Sequence, residues 1–212
     1  MDNQTVIPRK RWPVTKLSEF RKTASYRLTR VLVRLLAKTP IAPNAITWFG
    51  FSLTLGAAAL IITGHLFTAG LVVLIAGFFD MLDGALARST DRVTRFGAIL
   101  DSTLDRLAEA ILLLGIIVLY VRGGFIPGIL LASIALPGSF LVSYIRARAE
   151  ALSLECEVGV FTRPERVAVL AVGLLLSQID ITFLTVALGI IVVFSFVTAS
   201  QRLLYVWRQT KK

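Results

Sequence analysis

Residues 78–109 read FFDMLDGALARSTDRVTRFGAILDSTLDRLAE, and they join the end of one apolar run to the beginning of the next. Asp80 and Asp83 lie near the end of the first run, and Asp101 and Asp105 lie near the start of the second. The i,i+3 and i,i+4 spacings place each pair on one face of its helix. A short connection folds the two helices side by side. The sequence therefore predicts that four carboxylates converge at one end of a helical hairpin.

These carboxylates are costly if the two helices lie in a membrane. A charged side chain within a membrane span costs about 2.5–3.5 kcal/mol on insertion scales, so four together need compensation. Arg88, Arg92 and Arg95 of the connection are not placed to neutralise all of them. Carboxylates without His or Cys are hard oxygen ligands for Mg²⁺, Mn²⁺ or Ca²⁺, and two such ions about 3.5–4 Å apart form a clamp for phosphoryl chemistry. The sequence predicts a metal site here. For Glu109, one turn after Asp105, it favours a hydrogen bond that supports a metal ligand, or an interhelical contact, over metal ligation.

The composition of the whole chain indicates an integral membrane protein. Of its 212 residues, 56% are hydrophobic and only 17% are charged, with a mean hydropathy of +0.76. Ordinary soluble domains carry about 25% charged residues. A membrane-crossing helix needs about 20 residues. Six apolar blocks approach that length and predict an all-α fold with spans over residues 45–64, 67–87, 98–121, 124–145, 164–179 and 181–203.

The basic residues predict the orientation of these spans. Ten of the 23 Lys and Arg residues lie in residues 1–44, and most others lie after the second and fourth spans and in the C-terminal tail. Since basic loops remain in the cytoplasm, both termini are expected there. Apolar residues recur every three to four positions between residues 17 and 35, with bases between them, which is typical of an amphipathic helix at the membrane surface. The predicted domains are the cytoplasmic N-terminus with this helix (1–44), a six-helix transmembrane domain (45–205) and a basic C-terminal tail (206–212).

Residue counts exclude several kinds of chemistry. Cys156 and His65 are the only cysteine and histidine in the chain. An intramolecular disulfide, a cysteine metal cage, a Ser-His-Asp triad and a multi-histidine zinc site are therefore impossible. The net charge of +10 is compatible with anionic lipid headgroups or phosphorylated substrates, and we do not interpret it as nucleic-acid binding.

The hairpin resembles the signature of the CDP-alcohol phosphotransferase (CDP-alcohol phosphatidyltransferase) family. All eight defining positions are present, in the pattern Asp80-x2-Asp83-Gly84-x2-Ala87-Arg88-x8-Gly97-x3-Asp101-x3-Asp105. The resemblance extends over the chain, because that family has a juxtamembrane amphipathic helix followed by six transmembrane helices. It implies an enzyme that transfers the phosphatidyl-type group of a CDP-linked lipid to an alcohol and releases CMP. It also implies a cytoplasm-facing active site in the cell membrane and a homodimer.

The resemblance implies a role for each residue of the site. Two Mg²⁺ ions, which Mn²⁺ could replace, would be bound, one by Asp80, Asp83 and Asp101 and the other by Asp80, Asp101 and Asp105. Asp105 would also be the catalytic general base that deprotonates the acceptor hydroxyl. The CDP part of the lipid would contact five further residues: Asn44, Thr47, Gly84, Arg88 and Thr94.

The acceptor is expected to be inositol phosphate. The segments 143–150 and 163–166, together with 101–106, resemble the phosphatidylinositol-phosphate synthase branch of the family. A phosphorylated acceptor suits guanidinium groups, so the expected phosphate-binding residues are Arg146, Arg148, Arg163 and Arg166. The alternatives are a phosphatidylglycerol-phosphate or phosphatidylserine synthase with the same hairpin, and a cation transporter that uses the carboxylates as a transit site.

Overall fold

The computed structural model describes residues 43–89 and 94–211, and the regular structure in these ranges is helical. Six helices follow one another along the described chain: α1 (Pro43–Ile62), α2 (Leu66–Ser89), α3 (Arg95–Arg122), α4 (Ile126–Ala151), α5 (Arg163–Leu176) and α6 (Thr182–Thr210). Each corresponds to one predicted span, and α4 and α6 continue six to seven residues beyond theirs. The all-helical prediction is confirmed for this part of the chain. The predicted amphipathic helix before residue 44 lies outside the described residues.

Four of these helices are long and apolar enough to cross a membrane: Asn44–Ile62 of α1, Leu66–Ala87 of α2, Ile126–Ala151 of α4 and Thr182–Thr210 of α6. Helix α3 has the length, but Asp105, Arg106 and Glu109 interrupt its apolar sequence. Helix α5 has 14 residues, or about 21 Å, against an apolar layer of about 30 Å. Length and composition alone therefore support four of the six predicted spans.

The helices alternate in direction, so three N-termini and three C-termini share one end of the bundle. At the opposite end the connections are short turns, in which Gly64 (φ +86°) and Gly124 (φ +66°) adopt backbone conformations that other residues avoid. The shared end comprises the starts of α1, α3 and α5 and the ends of α2, α4 and α6. We call it the site end, since all four signature aspartates are near it.

The helices form a closed ring in which α1, α2, α5, α6, α4 and α3 follow one another, each packed on its two neighbours. The main hydrophobic core draws residues from all six helices and lies toward the end opposite the site. Small residues allow two of the contacts to be close. A Cβ on Gly115 of α3 would lie 3.3 Å from the Ala58 carbonyl oxygen of α1, and one on Gly173 of α5 would lie 2.5 Å from Ala187 of α6. This packing through small residues is common between membrane helices.

The connection between α4 and α5, residues 152–162, is fastened to α6. The Thr198 hydroxyl accepts a hydrogen bond from the Phe161 amide at 3.2 Å, and the Arg202 Nε donates to the Val158 carbonyl at 2.9 Å. Cys156 lies buried in this connection, and burial raises the pKa of its thiol. The entry of the chain into α5 is thus held in place from α6.

A buried ion pair joins α3 to α5. Arg166 donates from Nε and Nη2 to the two carboxylate oxygens of Glu109, at 2.6 and 2.8 Å. The Arg166 side chain is only 1% exposed and that of Glu109 only 8%. Such a two-point contact has a defined geometry as well as charge. It confirms the interhelical contact expected for Glu109.

We expect Glu109→Ala to lower the free energy of unfolding by about 3–5 kcal/mol, because it leaves the buried Arg166 charge without its partner. The matched control is Glu150→Ala. Glu150 also pairs with an arginine, Arg146 at 2.8 Å, but both side chains are about half exposed. Exposed pairs contribute about 0–1 kcal/mol, so this variant should unfold close to the wild type. Thermal unfolding in detergent, followed by circular dichroism, measures both variants. Equal destabilisation by the two substitutions would contradict this assignment.

Candidate active site

Three of the four predicted metal ligands meet at the site end. One carboxylate oxygen from each of Asp80, Asp101 and Asp105 lies within 4.8 Å of the other two. Asp80 comes from the second half of α2, and the other two come from the first three turns of α3. The i,i+4 spacing on α3 puts Asp101 and Asp105 on the face that packs beside Asp80. The three side chains are half-buried, which leaves them accessible to an ion.

Asp83 lies deeper, beside this cluster. It is 4% exposed, has Asp80 and Asp101 as charged neighbours, and has the side chain of Thr47 on α1 as a hydrogen-bonding neighbour. Its Oδ1 accepts a hydrogen bond from the Gly84 amide at 2.5 Å. Its Oδ2 is buried and meets no hydrogen-bond donor in good geometry among the described residues. Buried carboxylate oxygens are rarely left in that state.

The donor set fits divalent cations. Four carboxylates are the ligands that Mg²⁺ and Mn²⁺ prefer, and Asp83 Oδ2, which has no hydrogen-bond partner in good geometry among the described residues, has lone-pair capacity for an ion. The grouping of Asp80, Asp101 and Asp105 agrees with one of the two expected ligand sets. Asp83 stands outside that grouping but next to two of its members.

A cavity of about 390 Å³ opens from the carboxylates into the bundle. Its polar end is lined by Asp80, Asp105, Glu109 and Arg163, and its remaining wall, from α1, α2, α3 and α5, is mostly apolar. The lining reaches Val73 of α2 and other residues about two turns beyond the aspartates, which corresponds to about 10 Å along a helix. The cavity thus has charged residues at one end and a mostly apolar lining elsewhere.

Two of the residues expected to contact the CDP group meet where α3 begins. The Thr94 hydroxyl caps α3 by accepting a hydrogen bond from the Gly97 amide at 2.9 Å. A Cβ on Gly97 would lie 2.9 Å from Thr94 Oγ1 and 3.2 Å from Asn44 Oδ1. A side chain at position 97 would therefore displace both groups. Thr47 lines the cavity one turn after Asn44 on α1.

The other two of these residues lie on α2. The Gly84 amide is engaged by Asp83, as described above. Arg88 belongs to the last turn of α2, and its side chain lies outside the described part of the molecule.

The four arginines expected to bind the acceptor phosphate occupy different environments. Arg148 is exposed in the last turn of α4, and Arg146, also exposed, pairs with Glu150. Arg163 is bound to the aspartate cluster: its Nη1 contacts Asp80 Oδ2 at 2.5 Å and Asp105 Oδ1 at 2.8 Å. Arg166 is committed to Glu109 through two nitrogens, and its Nη1 is buried without a hydrogen-bond partner among the described residues. The phosphate-binding role of all four stays a prediction.

Comparison with known proteins gives the family. A sequence profile of CDP-alcohol phosphatidyltransferases matches residues 40–206. This chain belongs to the CDP-alcohol phosphatidyltransferase family. The archaetidylinositol phosphate synthase of Methanothermobacter thermautotrophicus is 37% identical over 196 residues, which cover 92% of this chain and 96% of that protein. The phosphatidylinositol phosphate synthase of Mycobacteroides abscessus is 36% identical over 181 residues, covering 84% and 82% of the two chains.

Solved structures of a CDP-alcohol phosphatidyltransferase show the same fold. The phosphatidylinositol phosphate synthase of Mycobacterium tuberculosis, in a crystal structure with CDP-DAG bound, superposes with a TM-score of 0.78 at 34% identity, covering 85% of this chain and 94% of that one. Another crystal structure of that synthase, in complex with manganese and citrate, gives a TM-score of 0.76 at the same identity and covers 84% and 88% of the two chains. The resemblance noted in the sequence is thus confirmed at the level of family and fold.

Sequence reasoning missed two features of this phosphatidyltransferase site. One is the contact of Arg163 with the aspartates, since residues 80 and 163 are far apart in the chain. The other is Arg202, which is 3% exposed at the site end of α6 and has Arg146 and Arg166 among its electrostatic neighbours. An arginine near the end of an otherwise apolar helix was the signal available for Arg202.

Proposed function

We propose that this chain transfers the phosphatidyl-type group of a CDP-linked lipid to inositol phosphate, forming a phosphatidylinositol phosphate and releasing CMP. The observation that carries the proposal is the meeting of Asp80, Asp101 and Asp105 in a chain of this family, with Asp80 and Asp105 lining one end of a mostly apolar cavity. The two relatives named above for their sequence similarity are both inositol phosphate lipid synthases. One makes an archaetidyl and the other a phosphatidyl product, so the CDP-linked lipid is either a diacylglycerol or an ether analogue.

The cavity supports a lipid-linked substrate. An amphiphile needs a polar subsite for its pyrophosphate and an apolar one for its hydrocarbon part, and the cavity offers both within about 10 Å. A cation transporter would not need an apolar cavity beside its carboxylates. Nor would it need the first turn of α3, in which Thr94 caps the helix and Gly97 leaves space beside Asn44. The described residues therefore favour the transferase over the transporter.

The aspartates have separate tasks in the proposed reaction. Two Mg²⁺ ions, or Mn²⁺ in their place, would be held by Asp80, Asp83, Asp101 and Asp105, and they would neutralise the pyrophosphate and the departing CMP. Asp105 accepts the proton of the acceptor hydroxyl. The hydroxyl oxygen forms a bond to the lipid-side phosphorus as the phosphorus–oxygen bond to CMP breaks. A positioned carboxylate that removes a proton in this way contributes about 10²–10⁴-fold to a rate.

The CDP part is proposed to bind along the start of α1 and the hairpin. Asn44, Thr47 and Thr94 present side chains there, and Gly97 leaves space between two of them. Gly84 and Arg88, on the same stretch of α2 as the aspartates, complete the expected set.

The acceptor phosphate is proposed to bind to the arginines of the site end. Arg148 and Arg146 are exposed to solvent, and Arg166 has one unused nitrogen, Nη1. Arg163 holds Asp80 and Asp105 through Nη1, so this nitrogen becomes available to a phosphate after it leaves the aspartates. An anionic acceptor would thus be drawn to the site by several guanidinium groups.

We propose that residues 45–205 form a six-span domain in the cell membrane, with both termini and the site end in the cytoplasm. The placement of most bases at that end and the alternating directions of the helices support this topology. Helix α3 carries charged residues and α5 is short, so these two helices cross the membrane only as members of the ring, with the Glu109–Arg166 pair buried between them. The homodimer implied by the family resemblance stays a prediction.

The purified protein in vesicles with CDP-diacylglycerol, or a CDP-linked diether lipid, is expected to release CMP with inositol phosphate at least about tenfold faster than with glycerol phosphate or serine. The expected lipid product, identified by mass spectrometry, is the phosphatidylinositol phosphate or its ether analogue. Removal of divalent cations with EDTA should stop CMP release. A product from glycerol phosphate or serine alone would assign the chain to one of the two alternative synthases.

Asp105→Asn should reduce CMP release by about 10²–10⁴-fold, because the amide cannot accept the hydroxyl proton. Its amide oxygen still occupies the ligand position, so divalent-cation binding should be only partly weakened. Activity and Mn²⁺ affinity are measured on the same preparation. CMP release near the wild-type rate would contradict the general-base role.

Arg148→Ala should raise the KM for the acceptor about tenfold, since it removes a charge-assisted hydrogen bond to the phosphate, and should leave the KM for the CDP-lipid nearly unchanged. Arg208→Ala is the matched control, because it removes an exposed arginine at the same end of the bundle, on α6. Steady-state kinetics with each substrate varied in turn separate the two constants. Equal increases in both KM values would argue against an acceptor subsite at Arg148.

A further inference from the structure

We infer that Arg163 is an internal counter-cation of the aspartate cluster, which competes with divalent cations for Asp80 and Asp105 and leaves when they bind. The inference rests on the proposed function in one respect, namely that the cluster is the metal site. It adds that the protein itself carries a positive group able to take the place of an ion there.

The guanidinium of Arg163 lies against two of the aspartates. A single nitrogen, Nη1, contacts one oxygen of Asp80 at 2.5 Å and one of Asp105 at 2.8 Å. These two residues, with Asp101, are the group whose oxygens lie within 4.8 Å of one another. An ion bound at Asp80 Oδ2 or Asp105 Oδ1 would need the lone pairs that Arg163 contacts and would meet a like charge at close range. The guanidinium and the ion therefore compete for these two oxygens.

The contact between Arg163 and the two aspartates can be replaced by another cation. Arg163 uses one nitrogen on the two carboxylates, while its Nε is buried without a partner among the residues described. Its side chain is 21% exposed. Arg166, one turn later on the same helix, uses two nitrogens on Glu109 and is 1% exposed. Two-point contacts are the stronger kind, so Arg166 has the features of a fixed support and Arg163 those of a replaceable partner.

Arg163 can leave the aspartates by a movement of its side chain alone. Thr162 and Glu165 form a capping box at the start of α5, in which the Thr162 amide donates to Glu165 Oε2 at 3.0 Å, and Pro164 follows Arg163 directly. Together with the Arg166–Glu109 pair, this cap fixes the backbone of α5. A change of side-chain rotamer is then the way in which Arg163 can release the aspartates.

The test is the affinity of the full-length protein for Mn²⁺, measured by titration calorimetry and by electron paramagnetic resonance of the free ion. Arg163→Gln should bind Mn²⁺ about tenfold more tightly than the wild type, because the ion no longer displaces a salt-bridged guanidinium. The matched control is Arg106→Gln, which removes an arginine adjacent to Asp105 in sequence. Arg106 donates a hydrogen bond to the Ser102 carbonyl on its own helix. Its loss should change the affinity by less than about twofold through general electrostatics.

The melting temperature, measured with and without Mn²⁺, distinguishes the loss of a counter-cation from a general loss of stability in Arg163→Gln. Without divalent cations, Arg163→Gln should melt at a lower temperature than the wild type, because the aspartates repel each other unopposed, and saturating Mn²⁺ should raise its melting temperature more. Arg163→Lys keeps the charge and should bind Mn²⁺ with an affinity between those of the other two proteins. It serves in place of Arg163→Gln if that variant does not fold.

The outcomes separate the inference from the proposed function. Unchanged or weaker Mn²⁺ binding by Arg163→Gln, with normal binding by the wild type, would overturn the inference and leave the proposed function standing. Absence of Mn²⁺ binding and of CMP release in the wild type would instead overturn the metal site on which both depend. Tighter binding by Arg163→Gln but not by Arg106→Gln is the result that supports the inference.

Discussion

Mutual repulsion among aspartates in an apolar bundle is the constraint on which the site end depends. Asp80, Asp101 and Asp105 hold carboxylate oxygens within 4.8 Å of one another, and Asp83 is buried beside them. Positive charge next to such a cluster reduces the repulsion among its ionised members. Helix α5 supplies part of it, because Arg163 contacts two of the aspartates. The place of this short helix in the ring is thus tied to the acidic faces of α2 and α3.

The same constraint explains why α5 is held from several sides. Arg166 and Glu109 bind α5 to α3, and the connection before α5 is fastened to α6 through Thr198 and Arg202. Helix α5 has only 14 residues, about half the length of its neighbour α6. The polar contacts therefore help to fix the position of the Arg163 guanidinium. They hold charged groups at one end of an otherwise apolar cavity, which is an arrangement that suits a lipid-linked pyrophosphate.

The sequence allowed prediction of those features that depend on local spacing. The i,i+3 and i,i+4 pairs of aspartates and the six helices follow from residues close together in the chain, as does the place of Glu109 one turn after Asp105. The contact of Arg163 with Asp80 joins residues 83 positions apart, and no periodic pattern encodes which arginine reaches which acid. For the same reason Arg166, which was expected to bind phosphate, is found to be paired mainly with Glu109. Length and charge, rather than periodicity, also decide that α3 and α5 differ from ordinary membrane spans.

The position of Arg163 has a consequence for the order of events at the site. Its Nη1 contacts Oδ1 of Asp105, the group proposed to remove the acceptor proton. While that contact lasts, this oxygen is occupied as a hydrogen-bond acceptor, and Nη1 of Arg163 is not available to a phosphate. Replacement of the guanidinium by divalent cations would change both conditions together, because the aspartates would exchange one positive partner for another and Arg163 would become available to an anionic substrate. One side chain at the start of α5 would thereby couple the charge balance of the cluster to the binding of the acceptor.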